Sequence, residues 1–314
     1  MNHSKTAIVT GGAGFIGSNL CDALLGRGLE VIAVDNLITG REENLESAKK
    51  SGAFTFLKQD VCGNIPLGKH IDFVYHLASP ASVPDYQSHP LETAHVNTIG
   101  TENMLKIARD NNARFLFSST SEVYGDPKEH PQKESYWGNV NPVGQRSCYD
   151  EAKRFGETLT VIYHLKHSVD ARIVRIFNTY GPRMRKNDGR VVSNFINQAL
   201  SGIPMTIYGD GTQTRSICYV DDMVEGIIAA MERDNTNGEV INLGKPSEFT
   251  VKDLAEKIKT MTDSRSDFTN LPLPSDDPKE RRPDITKAKD LLNWEPKITV
   301  EDGLKKTIEY YKTI

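Results

Sequence analysis

Short runs of apolar, β-branched and aromatic residues alternate along the first half of the chain with stretches of helical periodicity. Ala7–Thr10, Glu30–Asp35, Phe54–Leu57, Phe73–Leu77, Arg114–Ser118 and Ala171–Phe177 read as strands. Their apolar character is nearly continuous instead of alternating, as strands covered on both faces of a parallel sheet require. Between them, Ile16, Leu20, Ala23 and Leu24 share one face of a helix predicted over 15–27, with Gly28 as its left-handed cap. Two further helices are predicted over 92–110 and 149–167.

The fold class that follows is α/β, a doubly wound (Rossmann) parallel sheet. After Asn178 the texture changes to Gly-Pro and Pro-Arg turns, short strands such as Met205–Tyr208, and separated helices near 191–200, 220–233 and 251–261. This reads as a smaller C-terminal lobe closing over the carboxyl edge of the sheet, with part of the chain returning to the sheet. Prolines at 272, 274, 278 and 283 mark Leu271–Asp284 as a loop.

Composition narrows the function. Across 314 residues, 38 Lys plus Arg face 42 Asp plus Glu, a net charge of −4, so no nucleic-acid or membrane-surface partner is expected. Cys21, Cys62, Cys148 and Cys218 are far apart and form no Cys-x-x-Cys pair, which argues against a metal site and fits a reducing compartment. The first strand starts too early to leave room for a signal peptide, and no apolar run approaches the ~20 residues that span a bilayer. A soluble, cytoplasmic protein is expected.

Gly11, Gly14 and Gly17 fall where the first strand turns into the first helix. Glycine there permits a tight bend and close approach of backbone to a pyrophosphate. Such a turn alone is weak evidence. Here it is joined by Asp35, 18 residues after Gly17 at the end of the second strand, the position of a carboxylate that bonds adenine-ribose hydroxyls. The expected cofactor is NAD, because a carboxylate at 35 repels a 2′-phosphate; Arg41 is the counter-indication. Candidate cofactor contacts are Gly11, Gly14, Phe15, Ile16 and Gly17 at the turn, and Asp35, Asn36, Thr39 and Gly40 after the second strand. Asp60 and Val61 can flank the adenine and Leu77, Ala78 and Ser79 the ribose, although loop or core duty explains these five equally well. On this reading residues 1–178 bind the cofactor and residues 179–314 mainly the substrate.

Tyr149 and Lys153 stand one helical turn apart and so share a face. Pairs at this spacing are common on surfaces. Following a fifth strand and a dinucleotide turn, this pair predicts a phenol that exchanges a proton with an alcohol, its pKa lowered by the lysine. Thr120 and Ser121, at the end of the fifth strand, can bond the reacting hydroxyl. Glu122 beside them can handle a proton or cap the next turn. Arg183, Arg185, Arg190, Arg215 and the Arg281-Arg282 pair lie in turns and offer forks for an anionic substrate, about three of them expected to meet it.

With these motifs in place the chain resembles the extended short-chain dehydrogenases/reductases of the nucleotide-sugar epimerase and dehydratase group, and within it the UDP-glucuronate decarboxylase branch. The segments that carry this are His76–Ser82, Ser119–Pro127, Tyr136-Trp137-Gly138, Asn141-Pro142, Cys148–Glu151, Phe177–Met184, Asn187–Phe195, Asp276-Asp277-Pro278, Arg282–Ile285 and Trp294-Glu295-Pro296. The resemblance covers almost the whole chain. It implies a carboxy-lyase with tightly bound NAD that oxidises UDP-glucuronate at C4, releases carbon dioxide from the 4-keto acid and re-reduces the product to UDP-xylose. It implies Tyr149, Lys153, Thr120, Ser121 and Glu122 as reacting groups, and Arg281 for the sugar carboxylate. Asn178, Val192, Asn194, Tyr208 and Arg215 are implied on the UDP portion, with Thr179 and Arg190 at the cofactor's edge. His95 departs from the family pattern, where lysine stands. Members of the group pair as homodimers through two helices each, here those over 92–110 and 149–167. The rival readings are a UDP-sugar 4-epimerase or 4,6-dehydratase of the same fold, or a non-catalytic NAD-binding protein. Ser121-Glu122 stands where dehydratases carry an Asp-Glu pair.

Overall fold

The structure, a computed structural model, describes residues 4–272 and 280–314. Its strands are β1 (Thr6–Thr10), β2 (Glu30–Asp35), β3 (Phe54–Lys58), β4 (Phe73–His76), β5 (Arg114–Thr120), β6 (Ala171–Ile176), β7 (Thr179–Tyr180), β8 (Met205–Tyr208), β9 (Thr214–Ser216), β10 (Cys218–Tyr219), β11 (Val240–Leu243), β12 (Glu248–Thr250) and β13 (Phe268–Leu271). Helices are α1 (Phe15–Gly26), α2 (Val83–Ser88), α3 (Pro90–His95), α4 (Thr101–Asn111), α5 (Ser147–His167), α6 (Val191–Ser201), α7 (Val220–Glu232), α8 (Val251–Met261), α9 (Thr286–Leu292) and α10 (Val300–Thr313).

Seven parallel strands in the order β11-β6-β5-β4-β1-β2-β3 form the central sheet. Alternation along each strand feeds two cores. Ala7 and Val9 of β1 face the core shared with Leu20, Cys21 and Leu24 of α1, whereas Ile8 faces Met104, Leu105 and Ala108 of α4. Being buried on both sides explains the unbroken apolar runs. The strand order reverses between β1 and β4, the switch point where open α/β sheets bind ligands at their carboxyl ends.

Left-handed residues stop the helices near their predicted ends. Gly28 has φ +80° beyond α1, and Asn112 and Ser168 have φ +52° and +55° beyond α4 and α5. The single helix expected over 92–110 is instead α3, a wide turn over Val96–Gly100, and α4. In this stretch Thr93, Asn97, Thr98 and Thr101 bond the carbonyls four residues back, which loosens the ladder, and a Cβ on Gly100 would lie 2.8 Å from Val61.

Residues after 178 extend the α1-side core through Phe195, Ile196, Met205, Leu254, Leu304 and Ile308. They also supply β11, which pairs with β6. Of the stretch expected as a loop over 271–284, Leu271 ends β13, while residues 273–279, including Asp276-Asp277-Pro278, lie outside the described residues.

Candidate active site

A cavity of about 750 Å³ runs along the carboxyl ends of the strands. Its wall includes Gly11, Gly14, Phe15, Ile16, Gly17, Asp35, Asn36, Thr39, Asp60, Val61, Leu77, Ala78 and Ser79, and, further along, Thr120, Ser121, Glu122, Tyr149, Lys153, Asn178, Thr179, Arg190, Val192, Asn194, Tyr208, Arg215 and Arg281. Gly40 is not part of the wall. It packs beneath Asp35, where a Cβ would come within 2.8 Å of the carboxylate.

The first end fits a dinucleotide. Gly11 has φ +67°, and a Cβ on Gly17 would meet the Gly11 carbonyl oxygen at 2.1 Å, so only glycines close this turn. No side chain caps the N-terminus of α1, leaving its first amides for a diphosphate. The Asp35 carboxylate accepts from the Ala13 and Leu37 amides at 3.0 and 2.8 Å and keeps lone pairs for ribose hydroxyls. Burial raises its pKa, against the pull of those two amides. Asn36 donates to Asp60 at 3.0 Å, and Ser79 accepts from Asn97 at 2.9 Å. Arg41 donates to Asn44, to the Arg183 carbonyl and to the Tyr310 hydroxyl, a set of internal partners that gives it a structural role.

At the other end, α5 carries Tyr149 and Lys153 beneath the end of β5. Both are buried. Contrary to the expectation that lysine lowers the phenol's pKa, burial pushes Tyr149 up to about 12, although the Thr120 hydroxyl bonded to it pulls the other way. The Lys153 ammonium donates to the Ser118 carbonyl at 2.7 Å and lies 5.9 Å from the Tyr149 ring centroid. Burial pushes its pKa down to about 7, with Glu157 opposing. Glu157, one turn beyond Lys153, holds Arg175 through two bonds of 2.8 and 2.7 Å and accepts from Ser119 at 2.6 Å.

Glu122 is held by two arginines. Arg146 reaches it at 2.5 Å and Arg281 binds its other oxygen. Arg281 is 2 % exposed and also donates to Ser121 at 3.3 Å and to the Gly125 carbonyl at 2.8 Å. Burial alone would raise the Glu122 pKa; Arg281 and then Arg146 outweigh it and hold the carboxyl below its ordinary value. Four of the other arginines expected to meet substrate already have carboxylate partners: Arg183 with Asp22 at 2.5 Å, Arg185 with Asp85, Arg190 with Asp188 at 2.7 Å, and Arg282 with Glu248 at 3.3 Å. Of these four, Arg282 stands outside the cavity wall. His95 lines the cavity.

Sequence reasoning missed Arg146, Tyr86 and Asp150. Tyr86 is buried on α2, its ring stacked on Tyr149. Asp150 is buried directly after Tyr149, and its place beside that tyrosine in Tyr-Asp-Glu was the one available signal.

The sequence profile of the NAD dependent epimerase/dehydratase family matches residues 7–244. UDP-glucuronic acid decarboxylase 1 of Arabidopsis thaliana is 54 % identical over 305 residues, covering 97 % of this chain and 69 % of that protein. UDP-glucuronic acid decarboxylase 1 of Danio rerio is 52 % identical over 308 residues, covering 98 % and 72 %. The crystal structure of UDP-glucuronic acid 4-epimerase from Bacillus cereus, in complex with UDP-glucuronic acid and NAD, superposes with a TM-score of 0.87 at 31 % identity, covering 98 % of this chain and 99 % of that one.

Proposed function

Because the chain belongs to the NAD dependent epimerase/dehydratase family, we propose that it is the decarboxylating kind, an NAD-dependent carboxy-lyase that converts UDP-glucuronate to UDP-xylose. The observation that carries this reading within the site is the Glu122 carboxylate clasped by Arg281 and Arg146 beside Thr120 and Tyr149. A sugar carboxylate next to the reacting alcohol calls for a cationic group to bind it. Arg281 supplies one. With Ser121 before Glu122, the acid/base pair of a dehydratase is incomplete.

Bound NAD supplies the hydride acceptor for the sugar C4 and the donor for its return. Gly11, Gly14, Phe15, Ile16, Gly17, Asp35, Asn36, Thr39, Asp60, Val61, Leu77, Ala78, Ser79, Thr179 and Arg190 are the residues to hold it, with Gly40 shaping the Asp35 carboxylate from below. Tyr149 takes the proton of the C4 hydroxyl and gives it back at the end. Its raised pKa keeps the phenol protonated near neutrality, so it needs positive charge nearby to act as acceptor, and Lys153 is the group in place to provide it. Thr120 orients the phenol. Oxidation at C4 makes the sugar a β-keto acid, which loses carbon dioxide with its bonding electrons passing into an enolate. Ser121, Glu122 and Arg281 face that carboxylate, and Asn178, Val192, Asn194, Tyr208 and Arg215 serve the UDP portion. Residues 1–178 thus hold mainly cofactor and residues 179–314 mainly substrate.

A homodimer is supported by exposed apolar side chains on α5, namely Phe155, Val161, Ile162 and Leu165, together with Leu91 on α3 and Ile99. A reducing, cytoplasmic setting is supported by four free thiols, Cys21, Cys62, Cys148 and Cys218. Among the described residues no helix is long and apolar enough to cross a membrane. Mass spectrometry of products from UDP-glucuronate tests the activity: UDP-xylose with release of carbon dioxide is expected, and UDP-galacturonate as sole product overturns it.

A further inference from the structure

The reaction proposed above consumes a proton. Tyr149 takes one from the C4 hydroxyl and returns it, so its own state is restored. Loss of carbon dioxide, however, replaces a carbon–carbon bond at C5 with a carbon–hydrogen bond. One proton per turnover must come from solvent and reach a carbon enclosed in the cavity.

A second cavity, of about 290 Å³, lies behind Glu122. Glu122, Arg146 and Arg281 line both cavities, so the carboxylate and its two guanidiniums form the partition. Asp150 lines only the second one. It is 7 % exposed, and its Oδ1 is buried with no hydrogen-bond partner. An unpartnered buried carboxyl oxygen is costly and calls for a reason. Among its remaining lining residues Asp126, Asn139 and Asn141 are exposed, so the cavity opens to solvent there.

Burial, and after it the Glu122 carboxylate, raise the Asp150 pKa to about 7, with Glu151 adding and Arg146 and Arg281 opposing. Tyr86, Cys148 and Tyr149 are the other titratable groups in its field. Such a carboxyl both gives and regains a proton near neutrality. Glu122, held ionised by its arginines, cannot store one as readily.

We propose that the second cavity is the proton entry of the reaction, and that Asp150 is a relay that acts through the Glu122 partition without touching the sugar. This rests on the decarboxylase reading. The bond from C5 to the carboxyl carbon breaks and its electron pair stays on the sugar as the enolate of the 4-ketone. Asp150 releases its proton into water, for which the cavity has room. Water held at the Glu122 carboxylate hands a proton to C5, and the Asp150 carboxylate is reprotonated from solvent past Asn139 and Asn141. No electron leaves the sugar in this step.

The test compares wild type with Asp150→Asn, Asp150→Glu and Asn141→Leu, each with NAD bound. In the Asn variant, NAD retention and its reduction on mixing with UDP-glucuronate should be preserved, while UDP-xylose formation slows at least about tenfold. Wild-type kcat should fall steeply on the alkaline side of neutrality as both Asp150 and Lys153 give up a proton; Asp150→Asn should keep only the shallower Lys153 step, and Asp150→Glu should restore the two-group fall. Asn141→Leu should slow product formation with the carboxyl intact. An unchanged kcat and profile in Asp150→Asn overturns the relay, as does equal loss of NAD retention, reduction and product formation. If that variant does not fold, the absence of a wild-type ionisation near neutrality, or an unslowed Asn141→Leu, overturns it. A wild type that forms no UDP-xylose removes the activity and the relay together, whereas product formation with the full wild-type fall unchanged in Asp150→Asn removes the relay alone.

Discussion

Tyr86 lies flat against Tyr149, their ring centroids 5.1 Å apart and their planes 6° from parallel. The stack fixes where the Tyr149 phenol can swing, because Tyr149 leaves from the first turn of α5 and α2 closes over it.

Replacing Tyr86 separates the ring from its hydroxyl. That hydroxyl is buried without a partner, so Tyr86→Phe should keep both kcat and stability within about 1 kcal/mol of wild type. Tyr86→Ala opens a cavity against Tyr149 and should cost about 3 kcal/mol of stability, with a lower kcat. Denaturant midpoints and steady-state rates on the two variants check this.

Lys153 should make the protein more stable in mild alkali. Its pKa is pushed down from 10.5 to about 7 by burial, so between those values the unfolded chain binds more protons than the folded one, and stability rises with pH across that window. Lys153→Met should remove this rise while abolishing turnover. Urea midpoints measured across the window for both proteins give the answer.

His76 acts in the same sense on the acid side. Its ring is fully buried between the Thr10 and Thr101 hydroxyls at 2.8 and 3.1 Å, and burial, with Lys153 adding, lowers its pKa from 6.5 to about 3. The unfolded chain therefore binds the extra proton between those values, and stability should fall as pH drops through them. His76→Asn should flatten this part of the profile in thermal melts.

Asp35 should govern the choice of cofactor. Asp35→Asn removes the charge that strengthens bonds to ribose hydroxyls, so NAD affinity should weaken about tenfold, near 1.4 kcal/mol. Repulsion of a 2′-phosphate disappears at the same time, so the preference over NADP should narrow. Calorimetric titration of both nucleotides reads both effects.

The sheet was legible because its strands are buried on both faces, and the glycine turn, Asp35, Tyr149 and Lys153 were legible because their spacing is set by single elements. What depends on distant segments was not. Val240–Leu243 hides as a strand because Asn242 interrupts its apolar run, and only the fold shows that this amide accepts from Tyr124 and donates to the Gln132 and Asp284 carbonyls. Arg183 and Arg185 looked available for substrate, since nothing local reveals Asp22 or Asp85 beside them. The raised pKa of the phenol was not legible for a similar reason: desolvation depends on everything packed around the group.

Arg281 meets Glu122 across 159 positions of chain. During synthesis, the glycine turn, Asp35, Tyr149 and Lys153 all leave the ribosome long before the arginine that completes the carboxylate's clasp. A nascent chain can thus place its glycine turn and Asp35 early, while Glu122 waits for one of its two cationic partners until residue 281 has been made and docked.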